Sequence, residues 1–165
     1  MLCTRAQLYG GYMQLTHAQG VDLSTEETGN TQHHVPFSLK TMLLFLECWR
    51  WLLQVELVMR FRNSTSLRQM IQDQPIRYRD GSRRTAHASL SYAMELACVF
   101  YFKHVLCLQR SAATTMMFRK YGWPAQMVTG AQIVPYEFHA WVEVDDIVVN
   151  DRPYMKEIYQ VLERC

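Results

Sequence analysis

Residues 107–121 read CLQRSAATTMMFRKY, and residues 136–151 read YEFHAWVEVDDIVVND. In the first stretch Leu108, Ala112, Ala113, Met116 and Met117 recur at helical spacing, and Gly122 follows as a stop. In the second the apolar period falls to two. Strands are predicted over Phe138–Val144 and Ile147–Asp151, turning near Asp145 and Asp146, with another over Ala125–Gly130. A helix followed by antiparallel strands is an α+β arrangement. The same stretch carries a thiol, an imidazole and a carboxylate: Cys107 at the helix start, His139 in one strand and Asp151 at the end of the next.

Those three groups have the chemistry of a nucleophile, a base and the group that orients the base. A thiol attacks only as thiolate. Free cysteine titrates near about 8.5, and a helix N-terminus with a neighbouring imidazolium lowers this to roughly 3.5–7.5. Cys107 is predicted at such a terminus, where the helix dipole and free N–H groups favour negative charge. Each residue also has an ordinary structural reading: Cys107 as a small core hydrophobe, His139 as a hydrogen-bonded core histidine, Asp151 as a turn residue. His104, about one turn before Cys107, is a rival base without an obvious carboxylate partner. Cys48 and Cys98 fall on apolar helical stripes and belong to the core.

Loop parity in the hairpin decides whether His139 and Asp151 meet. A two-residue loop at Asp145 and Asp146 pairs His139 with Arg152 and turns Asp151 to the other side. A three-residue loop, Val144–Asp146, pairs Glu143 with Ile147, Trp141 with Val149 and His139 with Asp151. Asp146 then takes a left-handed conformation, which aspartate tolerates. The three-residue register is the expected one. It sends Ala140, Val142, Val148 and Asn150 to the opposite face. Both faces are largely apolar, so helices should cover the sheet on at least one side.

Upstream, residues 1–36 read as a flexible arm, with Gly10 and Gly11, a polar run over 22–30, and a solvated His33-His34 pair. Residues 37–165 form the single folded domain. Phe37–Phe61 is predicted as one long helix capped by Ser38, and its apolar residues wrap much of the circumference. Asn63–Ser66 breaks it, and Leu67–Gln72 is a candidate short helix. Arg77–Thr85 is a basic loop and a candidate contact for an acidic partner. Ala86–Val105 is a second long helical pattern; no Gly or Pro separates it from the helix at Cys107, the pattern alone would run the two together, and the boundary between them rests on the family resemblance given below. Tyr154–Arg164 reads as a terminal helix or an extended tail.

Charged residues are 19% and hydrophobic residues 49%, the balance of a globular chain. A formal charge of +2 does not argue for nucleic acid. The five cysteines include no C-x-x-C pair, which argues against a zinc site, and no cofactor is implied. Met1–Gln19 lacks the apolar core of a signal peptide, so the expectation is reduced thiols and a cytoplasmic location. The apolar run Thr41–Met59 is interrupted by Glu47, Arg50, Gln54 and Glu56. It fits a buried or membrane-brushing amphipathic helix better than a transmembrane segment.

The runs CLQRSAATTMMFRKYGWPAQMVTG and PYEFHAWVEVDDIVVND resemble the lasso-peptide leader peptidases. These are transglutaminase-like, papain-like cysteine proteases related to the C-terminal domain of the microcin-processing protein. The elements C-L-x-R-S, G-x-P-A, V-x-G, H-A-W-V-E-V and N-D occur in order between Cys107 and Asp151, and the likeness in architecture extends from about Phe37 to the end. The resemblance implies catalytic roles for Cys107, His139 and Asp151. It also implies a cysteine-bearing helix packed on an antiparallel sheet, with added N-terminal helices. Such enzymes cut the leader, which typically carries threonine at its penultimate position, from a ribosomally made precursor peptide. A partner cyclase similar to asparagine synthetase then closes the new amino terminus onto an Asp or Glu side chain. Asp146 stands where relatives commonly carry glycine. The arm before Phe37 is too short for the winged-helix leader-recognition domain that some relatives carry, so that domain is expected on a separate small protein. A non-catalytic scaffold for the cyclase and another thiol acyl transferase of the same fold are the alternatives.

Overall fold

The computed structural model describes residues 39–77 and 85–165. The expected arm, the Ser38 cap, the His33-His34 pair and most of the basic loop lie outside them. Among the described residues, five helices and four strands follow in chain order: α1 (Leu39–Phe61), α2 (Ser64–Gln72), α3 (His87–Val99), α4 (Cys107–Lys120), β1 (Ala125–Gln132), β2 (Glu137–Val144), β3 (Ile147–Val148), α5 (Met155–Ile158) and β4 (Gln160–Arg164). The strands make one antiparallel sheet in the order β3-β2-β1-β4. The architecture is α+β, with the cysteine-bearing helix on the sheet and helices before it.

Helix α1 buries Thr41, Leu44, Cys48, Trp51, Leu52 and Val55, one stripe at a 3.6-residue period. Phe45, Trp49, Val58 and Met59 flank that stripe half-buried, while Leu43, Leu46 and Leu57 stay exposed. Among the described residues no helix is long and apolar enough to cross a membrane. The break at Asn63 is a cap: its side chain accepts from the Ser66 N–H at 3.0 Å and starts α2 at Ser64, earlier than the apolar pattern alone indicates.

Helix α3 ends at Val99, well short of the expected Val105. Tyr101 is buried beyond that end, with its ring 5.5 Å from Trp49 of α1. Packing of this ring, with no helix-breaking residue involved, accompanies the turn of the chain and lets α4 begin afresh at Cys107. Helix α4 is central, and every residue from Ser111 to Arg119 is buried. Most of its buried polar groups find partners. Gln109 donates to the Leu52 carbonyl at 3.1 Å, Thr115 to Ser111 at 2.9 Å, and the Arg119 Nε–H to Ala125 at 2.7 Å.

The tail over 154–164 is neither of the expected forms alone. One helical turn is followed by β4, which pairs with β1 as a fourth strand. Cys165 extends the ladder by exchanging two 2.9 Å bonds with Met127. The sheet therefore has two covered faces. Ala125, Met127, Val142 and Val144 join the main helical core, while Val128, Trp141, Met155 and Tyr159 form a smaller cluster behind.

The hairpin register differs from the expected one. Val144 pairs with Ile147 and Glu143 with Val148, so the loop is Asp145-Asp146 alone. Both aspartates have positive φ, 50° and 65°, the type I′ geometry whose twist matches the flanking strands. Lys156 donates to the Asp146 carbonyl at 3.0 Å and holds the turn. Consequently Val148 packs with the Trp141 cluster and Val149 with the helical core, the reverse of the expected faces.

Candidate active site

Strand β3 stops at Val148, which leaves the outer edge of β2 without a partner strand between Val142 and His139. Exposed backbone groups on such an edge need other partners. Side chains supply them one by one. The Val142 carbonyl still accepts from the Val149 N–H at 3.0 Å, but the Val142 N–H donates to Asn150 Oδ1 at 2.7 Å. Ser111 of α4 donates to the Ala140 carbonyl at 2.9 Å and accepts from Asn150 Nδ2 at 3.0 Å. The Ala140 N–H and the Leu108 N–H at the start of α4 favour the charged form of the Cys107 sulfur. The open edge thus anchors the first turns of α4, and with them the thiol, beside His139.

With Asn150 drawn into that edge the chain bends, and Asp151 swings back to His139. The Asp151 Oδ2 to His139 Nε2 distance is 2.9 Å. The two residues meet as expected but by a different route. In the two-residue register they would point to opposite sides if the strand ran on; β3 ends first, and the bend at Asn150 brings the carboxylate round.

The Cys107 thiol and the His139 ring act on one another, each favouring the other's charged form. Since Nε2 faces Asp151, Nδ1 is the nitrogen left for sulfur. All three residues predicted from the sequence therefore converge. Burial pushes the Cys107 thiol up, but the His139 hydrogen bond and charge, with the Ala140 and Leu108 N–H groups, outweigh it and hold the thiol below its ordinary value. His139 is raised to about 9, foremost by the Asp151 hydrogen bond and then by Cys107, against the opposing effect of burial. Asp151 is held below the usual carboxylate range: burial opposes this, but the bonds from His139 and the Arg152 N–H and the Arg110 charge prevail. The arrangement favours a thiolate–imidazolium pair.

The other cysteines differ. Burial lifts Cys48 to about 12 and half-buried Cys98 to about 11, in keeping with core roles. His104 is exposed in the α3–α4 connection and is not among the groups acting on Cys107.

Sequence reasoning passed over the residues that hold the histidine ring. Tyr159 stacks on it at 5.2 Å between centroids, and Trp141 lies beyond at 6.4 Å. Trp141 in turn donates to Glu143 Oε1 at 2.8 Å, and Arg164 and Lys156 bind the same buried carboxylate. His139, Trp141 and Glu143 alternate along β2, so their common face could have been read from H-A-W-V-E-V. Tyr159 could not, because it follows a turn the pattern does not reveal. Arg110 was also passed over: its Nη2 lies 2.8 Å from Asp151 Oδ2. Among the described residues no cluster of His, Cys, Asp and Glu is arranged to hold a metal ion.

No curated protein and no solved structure matches the chain significantly. A family model, that of the transglutaminase-like superfamily, matches residues 49–164, a span that takes in most of α1 and everything through β4. That superfamily includes cysteine peptidases and acyltransferases, and its matched region contains Cys107, His139 and Asp151. On this match and this architecture, the chain belongs to the transglutaminase-like superfamily.

Proposed function

We propose that the protein is a cysteine peptidase that removes the leader from a ribosomally made lasso-peptide precursor. One observation carries the peptidase reading: a thiol on the first residue of a helix beside an imidazole that lowers its pKa and that is itself bonded to a carboxylate. The narrower substrate rests on the resemblance of the segment from Cys107 to Asp151.

In this reading the Cys107 thiolate adds to the carbonyl carbon of the scissile bond. The tetrahedral intermediate collapses as the His139 imidazolium gives its proton to the leaving amine, which departs as the core peptide. Neutral His139 then takes a proton from water, whose oxygen attacks the thioester. Collapse of that second intermediate frees the leader carboxylate and regenerates the thiol. Asp151 keeps the ring oriented throughout. No cofactor enters these steps. The partners are the leader–core precursor, a separate leader-recognition protein and an asparagine-synthetase-like cyclase, and the site of action is the cytoplasm.

The test incubates the purified chain with a leader–core peptide and its recognition protein, with mass spectrometry of the products. Two fragments whose masses sum to substrate plus one water are expected, and Cys107→Ala should yield neither while keeping a native circular dichroism spectrum. A product carrying an added amine in place of water would identify an acyl transferase. Cleavage retained by Cys107→Ala would overturn the reading.

A further inference from the structure

Arg110 lies one turn beyond Cys107 on α4. A cation this close to a helix N-terminus opposes the helix dipole. The compensating partner is Asp151, through a 2.8 Å bond from Arg110 Nη2 to Oδ2. That oxygen is the one His139 Nε2 reaches at 2.9 Å, while Oδ1 accepts from the Arg152 N–H at 2.9 Å. Guanidinium–carboxylate pairs usually use two parallel bonds. Here the Arg110 Nε is buried and has no hydrogen-bond partner among the described residues. This pair gives up a bond and instead fixes the single oxygen that orients the imidazole.

We propose that Arg110 is a positioning residue for the thiol–imidazole pair: it holds Asp151 ionised and aimed at His139 from the same helix that carries Cys107. Cys107 and the carboxylate's anchor then move as one body, since both sit on the first turns of α4. This inference rests on the peptidase reading above. The groups around the carboxylate are His139 on β2, the backbone N–H of Arg152, and Tyr159 after α5, which feels Asp151, Cys107 of α4 and Glu137 of β2. Cys98 of α3 also feels the Arg110 charge, and Glu95 acts on Cys98 in the opposite sense. Of these, only the guanidinium of Arg110 places a positive charge on Asp151 Oδ2 at all pH values.

The test follows alkylation of Cys107 by iodoacetamide across pH, read peptide by peptide by mass spectrometry, with Cys48 as the inert internal standard. It requires no peptide substrate. In the wild type Cys107 should react well below the pH at which an ordinary thiol does. In Arg110→Gln the acid midpoint should move upward by about one pH unit, because Asp151 loses its charge sooner and the imidazolium loses its partner. Arg110→Lys keeps the charge and should restore most of that shift. Arg110→Met, similar in length and helix propensity, replaces the Gln variant if that one does not fold. In an Asp151→Asn background the Arg110 substitution should no longer move the midpoint. An activated wild type whose midpoint is unmoved in the neutral variants overturns the role of Arg110 alone, even if the overall rate falls. A wild-type Cys107 as slow as an ordinary thiol overturns the peptidase reading and this inference with it.

Discussion

The indole of Trp141 occupies the space that a side chain on Gly130 would need. A Cβ at Gly130 would lie 2.8 Å from the ring and 2.9 Å from the Tyr159 Cβ. Gly130 faces His139 across the β1–β2 ladder, so the gap in one strand lets two aromatic rings close around the histidine of the other. Gly130→Ala should therefore destabilise the fold by about 1–3 kcal/mol through overpacking, read as a lower urea midpoint at unchanged slope. It should also lower cleavage, because Trp141 and Tyr159 must shift. A midpoint equal to wild type would show that the rings are not held as described.

In the proposed reaction Asp151 orients the ring and does not bond the substrate. Asp151→Ala should reduce kcat/KM by about 10²–10⁴, leaving measurable cleavage where Cys107→Ala leaves none. Asp151→Asn keeps an acceptor oxygen for Nε2–H and should fall between Ala and wild type. Equal loss in the Asn and Ala variants would mean that charge, and not orientation, is what Asp151 supplies.

His139 titrates at about 9 in the folded chain against an ordinary 6.5. Its imidazolium therefore stabilises the fold fully below pH 6.5, and the contribution disappears as pH rises through about 9. Cys107→Ala removes one of the two bonds that raise this value, but leaves the larger, from Asp151. The ring resonances of His139 in a proton NMR titration should then move to a lower midpoint that is still above 6.5. An unshifted midpoint would mean that thiol and ring do not interact.

Glu143 is only 2% exposed and is bound by Trp141, Lys156 and Arg164. Burial works against its ionisation, but those donors win and hold the carboxyl below the usual range. Its stabilisation is present above its unfolded value of about 4.5 and is lost as pH falls through the lower folded one. Glu143→Gln should cost about 2 kcal/mol at neutral pH, and the gap to wild type should close on acidification. Thermal unfolding at several pH values reads this directly, and a gap that stays constant with pH would rule out the ionised form as the stabilising one.

Much of the site was legible because it depends on local pattern. The change from helical to alternating period at Pro124 separates α4 from the strands, while the helix start at Cys107 came only from the resemblance of the segment. The boundary between α3 and α4 was not legible, since the residues from Val99 to Leu106 are as apolar as a helix stripe. The burial of Tyr101 against Trp49 marks where the first helix stops. Strand β4 was equally hidden, because a short polar–apolar alternation becomes a strand only when an edge such as that of β1 is free to receive it.

The hairpin shows the division most clearly. Sequence alone determined that His139 stands in a strand, that a turn follows at the two aspartates, and that a carboxylate lies within a few residues of the returning chain. Those features follow from alternation and turn chemistry, which act over a few bonds. Only the tertiary structure decided how the carboxylate arrives. The unpaired edge of β2 must find partners for its buried amides; Asn150 and Ser111 fill that need, and the bend this imposes turns Asp151 onto the imidazole. Satisfaction of backbone hydrogen bonds between distant segments has no signature in residue spacing, so the register could be misjudged while the meeting of the two side chains held.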